Sequence, residues 1–316
     1  MIRHTRFQNR IAESVFTLPA CVVLLLLVWW LPHFQLESER IAGLALTLLV
    51  SYVLTETNNV YQLIRIRTRM MACVWLFLVA CMPFLHTAVV PLLCALSLAA
   101  CHFVLFRCYQ SPYAVNGIFH SFLFLSLGSL CWSPLLLLAP CYWFHLSVLL
   151  RSMSLRTFWA GIFGLLLPYW LWFGYAFWTE SLLSMQQHFS EIGGLFESVA
   201  LFPLSLLTIP LSRLVSCLVV IFFVVWSLVH YLRNSYNDKI RVRMMLYIYV
   251  TQTLLLLVSL ILFPQHFLIF STLFFSHACF LLAHYFSLTG SRFSNILFCL
   301  FLLLCLSFPL LPLWWP

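Results

Sequence analysis

Charged residues are scarce in this chain: Asp, Glu, Lys and Arg make up 8% of its 316 residues, against about 25% in soluble globular domains. Hydrophobic residues make up 64%, and the mean hydropathy is +1.03. No polar stretch is long enough for a separate soluble domain. The composition excludes a soluble protein and predicts one integral membrane domain over residues 1–316.

Carboxylates are scarcest of all, and Asp238 is the only aspartate in the chain. Metal-dependent transfer onto lipid phosphates requires paired carboxylates, and the sequence also lacks HExxH, a phosphate-binding glycine loop and a nucleophile elbow. A cation-coupled transporter needs an acid near mid-membrane, whereas Glu13 and Glu56 fall near the borders of apolar runs. The sequence therefore predicts no cofactor and no metal, and it favours a role other than enzyme.

What the chain has instead is long apolar runs. A membrane-spanning helix needs ~20 mostly apolar residues, and the runs lack the alternation typical of a β-barrel. The sequence thus predicts an all-α transmembrane bundle of about eleven spans, with ten or twelve as alternatives. The runs cover residues 14–33, 41–55, 70–86, 88–106, 116–132, 134–150, 157–178, 208–232, 244–263, 266–286 and 293–314.

The basic residues fall in alternate gaps between these runs. With the N-terminus in the cytoplasm, fourteen of the sixteen Lys and Arg residues lie on the cytoplasmic side, and only Arg40 and Arg213 lie opposite. Cytoplasmic loops carry such an excess of basic residues. The pattern predicts a cytoplasmic N-terminus and a periplasmic C-terminus. Dispersed bases in short loops also argue against nucleic acid as a partner.

One periplasmic connection, residues 179–207, is larger than the others. Within about 180–205, apolar residues recur at spacings of three and four, which predicts an amphipathic helix along the membrane surface. Gly193 and Gly194 are expected to break this helix midway. The helix either covers the bundle or serves as a lid or docking surface.

Two loops on the cytoplasmic side, residues 55–69 and 233–243, combine arginine with amides. Such groups can hold anionic headgroups or lipid-linked phosphates, although anchoring by positive charge explains them as well. Five histidines also map to the cytoplasmic ends of helices: His102, His120, His145, His230 and His284. The predicted substrate- or lipid-binding residues are Glu56, Asn58, Asn59, Arg65, His284, Arg241 and Arg243.

Several short motifs give the chain a resemblance that extends over most of its length. They are Asn9-Arg10-Ile11-Ala12-Glu13-Ser14 with Phe16-Thr17-Leu18-Pro19, Glu56 with Asn58-Asn59 and Leu63-Ile64-Arg65-Ile66, Arg156-Thr157-Phe158-Trp159-Ala160 with Leu167-Pro168-Tyr169-Trp170, Ser235-Tyr236 with Asp238-Lys239-Ile240-Arg241 and Arg243-Met244, Pro264-Gln265-His266, and Ala283-His284 with Leu288-Thr289, Arg292 and Ser294-Asn295. In this order they resemble an uncharacterised family of polytopic inner-membrane proteins of Bacteroidota. The resemblance implies a multi-pass protein of a Gram-negative inner membrane and implies no activity.

Two classes of function remain open from the sequence. The favoured one is an accessory or assembly factor of the cell envelope, which works by binding lipid or an envelope protein partner. The alternative is a transporter, or a metal-independent membrane enzyme, that handles a lipid-linked or amphipathic substrate. In both cases the expected surroundings are the bilayer and its anionic lipid headgroups.

Overall fold

The computed structural model describes residues 6–30, 37–199 and 209–311. These residues form helices and connecting turns, with no strand among them. The first five residues, positions 200–205 of the predicted amphipathic segment and the C-terminus from 312 onwards, which the sequence predicts to be periplasmic, lie outside the described residues.

Thirteen α-helices make up the described part of the chain. They are α1 (Phe7–Glu13), α2 (Thr17–Trp30), α3 (Ser38–Tyr61), α4 (Met70–Cys81), α5 (Val89–Leu105), α6 (Val115–Cys131), α7 (Ala139–Phe144), α8 (Leu155–Trp178), α9 (Leu182–Val199), α10 (Leu211–Asn234), α11 (Ile240–Leu262), α12 (Phe267–Leu288) and α13 (Arg292–Ser307). A 3-10 helix, Ser133–Leu138, precedes α7, and a π-helical turn, His145–Leu149, follows it.

The length and composition of these helices identify a multi-pass membrane protein. Among the described residues, seven helices are long and apolar enough to cross a bilayer, namely α3, α5, α8 and α10 to α13. An eighth span results if α1 and α2, which meet at 93°, are counted together, and three further apolar helices are shorter. Every predicted apolar run overlaps one of these segments. The all-helical bundle is confirmed, and the count of eleven spans stays a prediction.

Helix α12 forms the centre of the bundle. Of its apolar window, 83% is buried, compared with 33% for α8. Helices α4, α5, α10 and α11 pack around it. A helix that is apolar on all sides is expected in such a central place. As a result, His277 and His284 of α12 point into protein rather than lipid, with 2% exposure each.

Helices α6 and α8 approach each other closely through small residues. A Cβ atom added to Gly164 would lie 2.4 Å from the backbone oxygen of Phe119, and Ala160, one turn earlier, is buried. The spacing of these two residues predicts such an approach, because small side chains let two backbones meet. Helix α8 continues through Pro168 without interruption.

The expectation that Gly193 and Gly194 break the amphipathic helix is wrong. Helix α9 runs continuously from Leu182 to Val199. Glycine costs a helix about 1 kcal/mol relative to alanine, a cost that packing can offset. Leu195, directly after the two glycines, is 2% exposed, so this part of α9 is held against the bundle.

Candidate functional site

The lone aspartate lies in the turn between α10 and α11. Asp238 follows the 3-10 turn Ser235–Asn237 and stands one residue before Lys239, the N-cap of α11. Its side chain has no exposed surface. A negative charge next to a helix N-terminus is favoured by the helix dipole, but that interaction alone does not compensate for burying a carboxylate.

Two bases from distant parts of the chain approach this carboxylate. Arg65 Nε, from the α3–α4 loop, lies 2.8 Å from Asp238 Oδ1. His284 Nε2, from the last turns of α12, lies 3.4 Å from Oδ2. Neither contact has the alignment of a hydrogen bond, and the Arg65 guanidinium attracts the carboxylate through its charge. We call Arg65, Asp238 and His284 the Asp238 cluster.

The members of this cluster differ in exposure. Asp238 and His284 are buried, whereas 44% of the Arg65 side chain is exposed. The effective penalty for burying an ion is several kcal/mol, and a nearby opposite charge offsets it. Within the described residues, the Arg65 guanidinium has no other ion pair or hydrogen bond. The arginine is therefore held at Nε while its terminal amino groups stay available.

The loop that carries Arg65 is fixed by Asn58 from the last turn of α3. Asn58 Oδ1 accepts a hydrogen bond from the backbone N–H of Ile64 at 3.1 Å, and Nδ2 donates to the backbone oxygen of Thr68 at 2.8 Å. The Thr68 hydroxyl in turn donates to the backbone oxygen of Ala12 at 2.5 Å. One buried amide thus bridges both ends of the loop, which makes Asn58 a positioning residue.

A cavity of about 960 Å³, the basic cavity, lies beside this loop. Its charged lining residues are Arg65, Arg67, Arg69 and Glu13, so three positive charges and one negative charge leave a formal charge of +2. The amide of Asn59 also lines it. The cavity therefore offers several donors and an excess of positive charge to an anion.

A second cavity, of about 560 Å³, also borders the arginine. Arg65 lines this cavity too, together with His230, Arg233 and His284. Trp226 forms part of its apolar wall. Arg65 therefore lines two cavities, and its contact with Asp238 fixes its position.

The structure brings four of the seven predicted site residues together. Asn58, Asn59, Arg65 and His284 line one or both of these cavities, and the other three do not. Glu56 is half-buried in α3. The Arg241 guanidinium lies 5.9 Å from the centre of the Tyr109 ring, and Arg243 is half-buried in the first turns of α11. These three residues therefore lie outside the lining of both cavities.

Sequence reasoning missed Asp238, the residue that organises the site. Its signal was present: the chain's single aspartate is followed closely by Lys239, Arg241 and Arg243. A lone acid in a basic loop is a candidate ion-pair partner. The sequence alone did not identify Arg65 as the base, because 173 positions separate the two residues.

The histidines are more deeply buried than an interfacial position requires. His102, His145, His277 and His284 are at most 2% exposed, and only His120 among the predicted group is largely exposed. The rings of His102 and His277 lie 5.1 Å apart, and His102 Nε2 is 3.2 Å from the Tyr142 hydroxyl. Within the described ranges, no three His, Cys, Asp or Glu side chains are grouped so as to hold a metal ion.

Comparisons with protein-family models, with curated proteins and with solved structures give no match for this chain. The resemblance to the Bacteroidota family accordingly stays a prediction.

Proposed function

We propose that this protein is an inner-membrane protein that binds a phosphate-bearing amphiphile, with the phosphate in the basic cavity against Arg65. The observation that carries the proposal is the position of this arginine, whose side chain is 44% exposed although it pairs with a fully buried carboxylate. Its Nε lies against the buried Asp238 carboxylate, and its side chain lines the cavity. Because the Asp238 carboxylate already fixes the position of the Arg65 side chain, this side chain needs no further ordering when an anion binds.

The chemistry of the cavity matches a phosphate. Arginine presents a rigid fork of donors that fits phosphate oxygens, whereas lysine offers a point charge. Arg67 and Arg69 add positive charge, and Asn59 adds an amide donor. Since Asp238 engages the Nε side of Arg65, the terminal amino groups are the ones that a ligand contacts.

The distribution of charge supports a cytoplasmic position for this end of the bundle. Cytoplasmic loops are rich in basic residues, and the inner leaflet carries anionic lipids that such residues attract. We therefore place Arg65, Asp238 and the N-terminus on the cytoplasmic side of an eleven-span bundle. The ligand then comes from the cytoplasmic leaflet or from the cytoplasm itself.

The sequence favours an assembly factor over a protein that handles an amphipathic ligand. The contacts of Arg65 support the second of these functions instead. An assembly factor needs a docking surface, and nothing in that role calls for a buried carboxylate that orients an arginine. Binding of an amphipathic ligand calls for such a pair directly. The assembly role stays a prediction, with the exposed surface of α9 as its place, and no catalytic step is assigned to the bound ligand.

The proposal can be tested by native mass spectrometry of the detergent-purified protein with phosphatidic acid and with phosphatidylcholine as probes. We expect preferential retention of phosphatidic acid, and we expect Arg65→Lys to weaken it at least tenfold, because one ammonium cannot both pair with Asp238 and clamp a phosphate. Arg156→Lys is the matched control, since Arg156 is exposed and lines neither cavity. Equal retention of phosphatidic acid by wild type and Arg65→Lys would refute the proposal.

A second variant distinguishes loss of lipid binding from loss of folding. The double substitution Arg65→Ala with Asp238→Asn removes the arginine without leaving a buried carboxylate unpaired. It should lose phosphatidic acid as Arg65→Lys does while keeping the elution profile of the folded protein. Retained preference for phosphatidic acid in this variant would also count against the proposal.

A further inference from the structure

An apolar groove of about 640 Å³ lies between α2, α4 and α13, and residues of α1 also line it. Two aromatic pairs frame it. The rings of Phe7 and Phe298 lie 6.2 Å apart, and those of Phe77 and Phe301 lie 6.0 Å apart. Most other lining side chains are aliphatic or sulfur-containing. The groove offers a hydrocarbon surface and few polar partners.

The groove begins where the basic cavity ends. Ser14, at the bend between α1 and α2, lines both spaces. On the other side, Arg69 lines the basic cavity and the next residue, Met70, lines the groove. Because α1 and α2 meet at 93°, the chain turns at the boundary between the polar and the apolar space.

The groove extends from this boundary along α2 and α4. Its lining runs from Thr17 to Leu24 on α2 and from Met70 to Phe77 on α4. At 1.5 Å per helical residue, each stretch covers about 10 Å. That length corresponds to about a third of the ~30 Å hydrocarbon layer, and the groove runs along the axes of α2 and α4.

We propose that this groove holds one hydrocarbon chain of an anionic amphiphile whose phosphate occupies the basic cavity. The inference rests on the proposed function and narrows its ligand to a phosphate amphiphile with one engaged chain. Charge complementarity selects the occupant: a space with a formal charge of +2 opens directly onto an apolar groove, and a phosphate joined to a hydrocarbon chain matches both parts. The hydrocarbon chain packs against the aromatic walls of the groove, and the bound phosphate fixes the position of this chain along the groove.

Three related probes separate the contributions of phosphate and chain. Lysophosphatidic acid carries both groups, glycerol 3-phosphate carries only the phosphate, and monoacylglycerol carries only the chain. We expect wild-type protein to bind lysophosphatidic acid at least tenfold more tightly than either of the others, measured by native mass spectrometry in a non-ionic detergent. Similar affinity for all three would overturn the inference.

A substitution that fills the groove tests the place of the chain. Ala20 is exposed and lines the groove, whereas Val23 is exposed on the same helix and does not line it. Ala20→Trp should lower affinity for lysophosphatidic acid at least tenfold and leave that for glycerol 3-phosphate unchanged, with Ala20→Leu giving a smaller loss. Val23→Trp should change neither affinity.

The two proposals fail in different ways. Unchanged lysophosphatidic acid binding by Ala20→Trp, together with a loss in Arg65→Lys, would reject the groove and keep the phosphate site. Unchanged glycerol 3-phosphate binding by Arg65→Lys would reject the phosphate site itself. A dimer that Ala20→Trp dissociates, with lipid binding unaffected, would assign the groove to a second copy of the chain and overturn the inference.

Discussion

Two polar clusters lie at opposite ends of this bundle, and they use their polar atoms differently. At the end that carries α9, Ser133 Oγ donates to the backbone oxygen of His188 at 2.6 Å, and its backbone N–H donates to Glu191 Oε2 at 3.4 Å. The hydroxyls of Ser129 and Tyr169 lie 2.8 Å apart, and that of Tyr169 lies 3.4 Å from His188 Nε2. We call these five residues the α9 cluster.

The Asp238 cluster and its neighbours leave polar atoms without partners. Within the described residues, the Tyr231 hydroxyl, Arg243 Nε, His284 Nδ1 and the Ser287 hydroxyl are buried and lack a hydrogen-bond partner, whereas no such atom occurs in the α9 cluster. An unpaired buried polar group costs about 1–3 kcal/mol. The contrast indicates that the α9 cluster satisfies its polar atoms within itself, whereas the surroundings of Asp238 do not.

The largest expected effect comes from removing one partner of the Asp238 cluster. Arg65→Ala leaves a buried carboxylate without its closest base, and we expect a loss of about 3 kcal/mol in the free energy of unfolding. Asp238→Asn leaves only a half-exposed arginine unpaired, so its expected cost is about 1 kcal/mol. Denaturation followed by tryptophan fluorescence in detergent measures both.

The double variant sharpens this prediction. Combining Arg65→Ala with Asp238→Asn should cost less than Arg65→Ala alone, which gives a coupling of about 2 kcal/mol in a double-mutant cycle. Arg67→Ala is the matched control, because Arg67 is exposed and forms no ion pair within the described residues. A coupling near zero would mean that Asp238 carries no buried charge, and the contrast between the two ends would disappear.

A smaller effect is expected at the contact between α6 and α8. Helix α8 contributes Tyr169 to the α9 cluster and no residue to the Asp238 cluster. Gly164→Ala should cost about 2 kcal/mol, because its methyl group meets the Phe119 backbone at 2.4 Å and helices must shift. It should weaken the protection of α9 against hydrogen exchange and leave phosphatidic acid binding unchanged.

Gly174 provides the control for this substitution. It lies on the same helix, and an added Cβ atom there meets nothing within 4 Å. Gly174→Ala should be neutral or stabilise the protein by up to about 1 kcal/mol through helix propensity. Loss of lipid binding in Gly164→Ala would show that the two ends are coupled through α8.

The helical fold could be predicted from the sequence because it follows from the composition of each apolar run. Every predicted apolar run contains a helical segment, since backbone groups in lipid have to be satisfied within the segment. The predicted break at Gly193 and Gly194 was wrong because it rested on the low helix propensity of glycine. Packing of α9 against the bundle outweighs that propensity. Helix propensity is a weak guide once a helix packs against a bundle.

The site was only partly accessible because it depends on tertiary contacts. Loop composition was enough to select Arg65, Asn58 and Asn59 as candidates. The buried partner Asp238 and the two cavities arise where α3, α10 and α12 end together, and no sequence spacing encodes that meeting. Glu56 was chosen for its polarity near the same loop, but it lines neither cavity.

The smallest expected effect concerns Glu191 in the α9 cluster. This side chain is exposed, and its contacts with Ser133 are 3.3–3.4 Å long, so Glu191→Ala should cost less than about 1 kcal/mol. Faster hydrogen exchange should be confined to α9, and Glu197→Ala, an exposed residue of the same helix, should change nothing. Because the α9 cluster is bonded within itself, phosphatidic acid binding should stay at the wild-type level. A loss of binding in Glu191→Ala would instead make α9 part of the ligand site, and the two ends of the bundle would have to be treated as one functional unit.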